Sequence, residues 1–126
     1  MSSATVDGAT FMAEERLRWR EKEFQREVLT LAKDCGWTHR YHTYFSDRSE
    51  RGFPDLVLVR PGTRNAGIAG FYSAGEIIFA ELKTMKGKLS LAQQDWYEAL
   101  RTLPNIRVKL WRPCCWNSGE IAEALR

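Results

Sequence analysis

Three charged residues lie at the ends of apolar runs that predict β-strands. Asp55 opens one such run, and Glu81 and Lys83 close another that begins at Ile77, with Glu81 standing 26 positions after Asp55. Side chains at i and i+2 of a strand point to the same face, so Glu81 and Lys83 share one face and Leu82 points to the other. Charged groups in such a run are costly unless they meet partners or solvent. If the two strands pair, the carboxylates of Asp55 and Glu81 come together.

Two neighbouring carboxylates and a lysine predict chemistry at a metal ion. Carboxylates that are forced together repel, and a divalent cation relieves that repulsion while it binds their oxygens. Bound Mg²⁺ can activate water and neutralise charge on a phosphoryl oxygen, with Lys83 positioning the water or stabilising the transition state. The alternative is a structural lysine–carboxylate bridge at a strand end, the ordinary meaning of an isolated Glu-x-Lys. Asp55 on the preceding strand favours the metal-dependent site.

Helices and strands must bring these residues together. Residues 13–35 carry apolar side chains at helical spacing without Gly or Pro, which predicts one helix that Gly36 ends. Ser90 and Gln93 fit a capping box that opens a second helix. Residues 1–12 are predicted to be a flexible tail, and the glycine-rich residues 61–75 a long, mobile connection. The predicted strands are 37–45, 53–59, 76–84 and 107–112, and the predicted helices are 13–35, 90–103 and 118–125.

The order of these elements is α-β-β-β-α-β-α. A helix separates the third strand from the fourth, which predicts a parallel pair with a right-handed crossover. The first three strands can follow one another as antiparallel neighbours. We therefore expect an α/β fold with a mixed sheet.

Length and composition limit the number of domains and the class of protein. The chain has 126 residues, 44% of them hydrophobic and 28% charged, which fits a single domain over residues 13–126. No apolar run approaches the ~18 residues of a membrane helix, and the N-terminus lacks the order of a signal peptide. The three cysteines form no Cys-x-x-Cys pair, so a zinc site is not expected. These features predict a cytoplasmic protein that makes no membrane contact.

The positive charge of the chain is concentrated in one segment. The formal net charge is +3, but residues 83–112 hold seven basic residues against two acidic ones, so this segment carries +5 and the remainder −2. A one-sided basic excess suits a polyanion, although a solvated basic surface is the commoner explanation. Nucleic acid is therefore a candidate partner.

Three ordered motifs surround the charged residues. They are Gly52-Phe-Pro-Asp-Leu-Val-Leu-Val59, then Phe79-Ala-Glu-Leu-Lys-Thr84, then Lys86-Gly-Lys-Leu-Ser-Leu-Ala-Gln93. Together they resemble the VRR-NUC (virus-type replication-repair nuclease) domain, which belongs to the PD-(D/E)xK nuclease superfamily. The resemblance runs from about Glu23 to Trp116. It implies a restriction-endonuclease-like αβββαβ core with a mixed four-stranded sheet flanked by helices, here with an extra C-terminal helix.

The resemblance also implies metal-dependent cleavage of DNA with Mg²⁺ or Mn²⁺ and no small-molecule cofactor. Asp55 and Glu81 match the metal-binding carboxylates, the backbone carbonyl of Leu82 a further metal ligand, and Lys83 and Gln93 the active-site lysine and glutamine. The first helix of the family contributes a glutamate, for which Glu23 is the best match and Glu27, one turn later, a competitor. Candidate DNA contacts are Lys86, Lys88, Arg48, Arg51 and His42.

Several functions remain open within this expectation. Small stand-alone members of the family resemble homodimeric four-way (Holliday) junction resolvases, because two symmetric cuts need two active sites. The alternatives are a flap- or single-strand-directed nuclease of a phage replication-repair system, or a non-catalytic DNA-binding module with the same fold. The expected partner is DNA, most simply branched DNA, in a bacterial or phage-infected cell.

Overall fold

The structure is a computed structural model that describes residues 7–43, 50–64 and 72–126. In these ranges the helices are α1 (Gly8–Arg16), α2 (Glu21–Asp34), α3 (Leu91–Arg101), α4 (Pro113–Asn117) and α5 (Glu120–Leu125). The strands are β1 (His39–His42), β2 (Leu56–Arg60), β3 (Thr63–Arg64), β4 (Tyr72–Ser73), β5 (Glu76–Leu82) and β6 (Arg107–Trp111). None of the helices in these ranges has the length and apolar character needed to cross a membrane.

Four strands form the central sheet in the order β1-β2-β5-β6. β2 is antiparallel to both β1 and β5, whereas β5 and β6 are parallel and are connected through α3. This mixed sheet flanked by helices confirms the predicted α/β fold, including the extra helix at the C-terminus. The order places β2 and β5, which carry the candidate acidic residues, at the centre of the sheet.

The hydrophobic core lies on one face of the sheet, beneath α2 and α5. Alternate residues of the two central strands point into it, as the period of a strand requires, and α2 contributes residues spaced four apart along its buried stripe. The fully or almost fully buried members are Phe24, Val28, Ala32, Trp37, Leu56, Leu58, Ile78, Ala80, Leu82, Trp111, Ile121 and Leu125. Because these side chains point away from it, the opposite face of the central strands is left for α3 and the candidate site.

The C-terminus is anchored at the end of the sheet farther from Asp55. The Nε1–H of the buried Trp37 donates to the carbonyl of Leu125 at 2.9 Å. The guanidinium of Arg60 lies 4.5 Å from the centre of the Trp37 ring and forms an ion pair of 2.6 Å with Glu76. The last helix is therefore an integral part of the domain.

The helical segments differ from the prediction at both ends of the chain. The single helix predicted over residues 13–35 is two helices, because the chain leaves α1 through a turn that inserts Trp19 against Phe24 and Trp116 at ring-centre distances of 5.8 and 5.4 Å. A further short helix, α4, precedes the predicted last one and begins with Pro113, a residue favoured in a first helical turn. The period of the apolar residues did not reveal the break between α1 and α2, because that break is associated with the contact of Trp19 with Trp116, a residue far along the chain.

Two segments predicted to lack structure contain some. α1 begins at Gly8, inside the predicted tail, where the Asp7 carboxylate caps it by accepting the N–H of Thr10 at 2.8 Å. Within the predicted connection 61–75, β3 and β4 pair and the Thr63 hydroxyl donates to Ser73 at 3.1 Å. Residues 65–71 of that connection lie outside the described part of the chain.

Candidate active site

The register of the central strands brings the two acidic residues together. Leu56 of β2 is opposite Ala80 of β5, so Asp55, one residue before, faces Glu81, one residue after. The two carboxyl groups share a hydrogen bond. Oδ2 of Asp55 also accepts the backbone N–H of Leu82 at 2.8 Å, which fixes the aspartate against β5. The backbone of the two central strands therefore positions the pair.

Glu81 is buried at this position. It is 3% exposed, and it is the one buried polar or charged residue in the described part of the chain. Burial, and after it the hydrogen bond with Asp55 and the charge of that residue, raises the pKa of Glu81 to about 9, although the charge of Lys83 acts in the opposite direction. The pair consequently holds a proton at neutral pH unless another positive charge replaces it.

Lys83 supplies positive charge beside the pair. Its backbone N–H donates to the carbonyl of Trp111 at 3.0 Å, which continues the pairing of β5 with β6 beyond Leu82. The side chain is half-buried, and its charge acts on both Glu81 and Glu21. The predicted common face of Glu81 and Lys83 is thus consistent with an electrostatic contact between them.

Gln93 links the first turn of α3 to the buried glutamate. Its Oε1 accepts the N–H of Ser90 at 2.8 Å and its N–H donates to the Ser90 hydroxyl at 3.1 Å, which confirms the predicted capping box. Because Oε1 of Gln93 is bonded to the Ser90 backbone, the Nε2 group of Gln93 points towards β5 and donates to Oε1 of Glu81 at 3.3 Å. One side chain therefore caps the helix and orients the glutamate.

Glu21, which the sequence analysis did not single out, lies near these groups. Burial raises the pKa of Glu21, the charge of Asp55 raises it further, and the charge of Lys83 lowers it. Glu23, the predicted helix acid, instead accepts the backbone N–H of Arg20 at 3.0 Å and closes the start of α2. The sequence could have pointed to Glu21 only through the start of α2 at this residue, and the prediction of one continuous helix from residue 13 concealed that start.

The competing acid, Glu27, is directed elsewhere. Its carboxylate lies 3.8 Å from the guanidinium of Arg26, and 42% of the side chain is exposed. The charge of Glu21, in contrast, is one of the charges that raise the pKa of Glu81. Of the three glutamates in the first two turns of α2, Glu21 is therefore the one whose charge acts on the carboxylate pair.

Tight packing joins the entry of β2 to α3. Gly52 has a φ of +84°, and a Cβ atom there would lie 2.4 Å from the backbone carbon of Ala92, so only glycine fits this position without strain. The next residue, Phe53, packs edge-on against Phe79 and Trp96 at ring-centre distances of 6.1 and 5.0 Å. These contacts hold residues 52–53, which precede Asp55, against α3, the helix that carries Gln93.

The residues predicted to contact DNA differ in their exposure and in their position around this site. Arg51, Lys86 and Lys88 are exposed in the two loops that flank it, and His42 is half-buried at the end of β1. Arg48 lies outside the described residues. The loop with the two lysines is held by Arg112, whose Nη1 donates to the carbonyls of Thr84 and Gly87 at 2.6 and 2.7 Å. Their roles in DNA binding stay predictions.

The donor atoms suit a hard divalent cation. No three His, Cys, Asp or Glu side chains within residues 7–43, 50–64 and 72–126 converge into a ready-made metal site. Two carboxyl groups nevertheless face each other, one of them buried, and burial together with the hydrogen bond and charge of Asp55 raises the pKa of Glu81. Oxygen donors that carry excess negative charge are the ligands that Mg²⁺ and Mn²⁺ prefer.

The fold and the site together define a nuclease of the PD-(D/E)xK type. The αβββαβ order is present, and Asp55, Glu81 and Lys83 stand at the ends of the two central strands. The family model of the VRR-NUC domain matches residues 5–112, most of the chain, so the protein belongs to the VRR-NUC family. This confirms the resemblance carried by the three motifs. No curated protein and no solved structure gives a match. A nuclease domain implies DNA as the substrate, and the family generally uses divalent metals.

Proposed function

We propose that the protein is a divalent-metal-dependent DNA endonuclease, a phosphodiester hydrolase whose active site is built on Asp55, Glu81 and Lys83. The observation that carries the proposal is the hydrogen-bonded carboxyl pair, of which Glu81 is 3% exposed. A buried pair with a raised pKa destabilises the folded chain at neutral pH, and such a cost is typical of functional sites. A structural lysine–carboxylate bridge would not require a second carboxylate.

The proposed ligands of Mg²⁺ or Mn²⁺ are Asp55, Glu81 and the backbone carbonyl of Leu82. The Leu82 peptide adjoins the aspartate through its N–H group. Among the helix acids, we favour Glu21 over Glu23, since the Glu23 carboxylate is occupied at the helix start. A bound divalent cation would supply water activation and neutralisation of phosphate charge.

The protein side chains have distinct tasks in this proposal. The ammonium group of Lys83, held beside the carboxylates, stabilises negative charge that develops on the phosphate. Gln93 fixes the orientation of one Glu81 oxygen through its 3.3 Å hydrogen bond. Burial of Glu81 keeps competing water away from the reacting atoms, which strengthens each of these interactions.

Replacement of the three central residues tests the site. Asp55→Asn, Glu81→Gln and Lys83→Met are expected to abolish cleavage of DNA in Mn²⁺ or Mg²⁺, while circular dichroism shows folded protein. The matched control is Glu98→Gln, because Glu98 is 71% exposed on α3, where it pairs with Arg101 at 3.5 Å. Undiminished cleavage by all three central variants would reject the site. Calorimetric titration with Mn²⁺ separates an enzyme from a non-catalytic DNA-binding module, which would show no carboxylate-dependent metal binding.

For the substrate, we propose branched DNA, cleaved by a homodimer in the manner of a four-way junction resolvase. One small domain with one carboxylate pair supplies one cut, and two symmetric cuts require a second copy. Purified protein should be incubated with junction, flap, nicked and linear DNA in Mn²⁺. Paired symmetric cuts in the junction support resolution, whereas preferential cutting of the flap supports the flap-directed alternative. Size-exclusion chromatography with light scattering measures the oligomeric state in the same buffer.

A further inference from the structure

A groove lies between the second helix and the edge strand of the sheet. Its volume is about 440 Å³. We call it the α2–β1 groove and define it by Lys22, Arg26, Leu29 and Lys33 on the helix and Arg40 and His42 on the strand. The helical members are spaced three or four residues apart, so they form one continuous face of α2. Arg40 and His42 are two residues apart on β1 and share a face of the sheet.

The groove is strongly basic. Four of its lining residues carry a full positive charge, and none of its lining residues is acidic. Within the described part of the chain, the ammonium groups of Lys22 and Lys33 form no ion pair or hydrogen bond. Arg26 has an acidic neighbour, Glu27, at 3.8 Å, a distance close to the upper limit for an ion pair. Cationic side chains that are left without acids favour an anionic ligand.

One end of the groove adjoins the active site. Lys22 follows Glu21, whose carboxyl group interacts with Asp55. On the strand, His42 is opposite Leu56, the residue after the aspartate, while Arg40 is opposite Leu58, farther along β2. Both walls therefore start at the end of the sheet that carries the carboxylate pair, and they lead away from that end in the same direction.

The dimensions fit an extended polyanion. Eleven residues separate Lys22 from Lys33, and at ~1.5 Å per residue this part of α2 is ~16 Å long. One strand of B-form DNA advances 3.4 Å per phosphate, so the groove is about five nucleotides long. The apolar side chain of Leu29 between the basic residues can contact sugars, while Gln25 and Thr30 add hydrogen-bonding groups.

We propose that the α2–β1 groove binds the backbone of a DNA strand where the substrate leaves the active site. The proposal rests on the proposed nuclease function for its choice of DNA. It assigns phosphate contacts to Lys22, Arg26, Lys33 and Arg40, all four of which lie outside the basic segment 83–112. A phosphate-binding track that continues beyond the cleavage site positions the substrate without reading its sequence.

The test measures DNA binding separately from cleavage. All proteins carry Glu81→Gln so that the DNA stays intact, and fluorescence anisotropy follows binding of a labelled branched duplex across a range of salt concentrations. Lys22→Ala with Lys33→Ala is expected to weaken binding about 25- to 60-fold in 0.1 M salt and to reduce the slope of log K against log salt by about 1.4 to 1.8, the values for two lost phosphate contacts. Both lysines are exposed, so folding should be unaffected.

Two controls isolate the position of the charges. Arg18→Ala with Arg101→Ala removes the same total charge from exposed sites outside the groove and should change binding less than about twofold. Lys22→Arg with Lys33→Arg should retain binding, because it keeps the charges. Equal weakening by the groove variant and the control pair, or no weakening by the groove variant, would overturn the proposal.

Cleavage assays on the protein with its natural Glu81 test the nuclease function separately from DNA binding in the α2–β1 groove. If the wild type cleaves and the groove variant shows unchanged affinity, the nuclease function stands and the groove proposal is wrong. If no metal supports cleavage but the groove variant still binds DNA far more weakly, the groove proposal stands and the enzymatic proposal is wrong.

Discussion

Replacing Glu81 by glutamine should make the metal-free protein more stable at neutral pH. The wild-type carboxyl group is buried, and its pKa is raised to about 9 from an ordinary 4.5. A glutamine has nearly the same shape, carries no charge at any pH, and can keep the hydrogen bonds to Asp55 and from Gln93. The variant therefore removes the cost of the charge without creating a cavity.

The size of the effect follows from the two pKa values. A carboxyl group whose pKa is raised in the folded state binds its proton more tightly there than in the unfolded chain. Its contribution to stability is therefore complete below pH 4.5 and is lost as the pH rises towards 9, by about 1.4 kcal/mol per pH unit. By pH 7 the loss amounts to about 3 kcal/mol. Glu81→Gln should recover about this free energy at pH 7 and almost none near pH 4.5.

The assay is urea unfolding followed by circular dichroism, in EDTA, at pH 5, 7 and 9. The difference in unfolding free energy between Glu81→Gln and the wild type should grow steadily with pH. Glu98→Gln is the matched control, because its side chain is 71% exposed and stays in contact with water in both states. Addition of Mn²⁺ at pH 7 should stabilise the wild type and leave Glu81→Gln unchanged. A difference that is the same at pH 5 and pH 9 would refute the reasoning from burial.

Three further changes test how the site is positioned. Glu21→Gln should lower the rate of DNA cleavage at least about tenfold with little change in stability. Glu23→Ala removes the side chain that accepts the N–H of Arg20, so it should cost about 1 kcal/mol of stability, the value of a helix cap, and keep the activity. Equal rates in the two variants would contradict this. Gln93→Ala should lower the stability by about 1 kcal/mol and should also lower the cleavage rate, since the Gln93 side chain contacts both Ser90 at the helix start and Glu81. A loss of stability alone would argue against a role of Gln93 at the site. Gly52→Ala should lower the free energy of unfolding in urea by about 3 kcal/mol, because φ is positive there and the new methyl group would overlap Ala92. A change below about 0.5 kcal/mol would show that the turn can move.

Local sequence patterns predicted most of the elements and the capping of the central helix. Strand residues alternate and helix residues repeat at 3.6, and these periods are properties of the chain itself. The capping box of Ser90 and Gln93 depends on residues three positions apart, so it was visible without the fold. The break between α1 and α2 was not visible, because Trp19 interrupts the helix through its contact with Trp116, a residue far along the chain.

The sequence by itself determined the family, the α/β fold and the residues that can do chemistry. The spacing of Glu81 and Lys83 places them on one face of a strand, and the three ordered motifs resemble the VRR-NUC domain, whose family model matches residues 5–112. Only the tertiary structure decided which glutamate of α2 reaches the carboxylate pair, because that depends on where the helix begins and how it packs. It also decided that α2 and β1 enclose a basic groove, since its residues are separated in sequence and meet only when the helix covers the edge of the sheet.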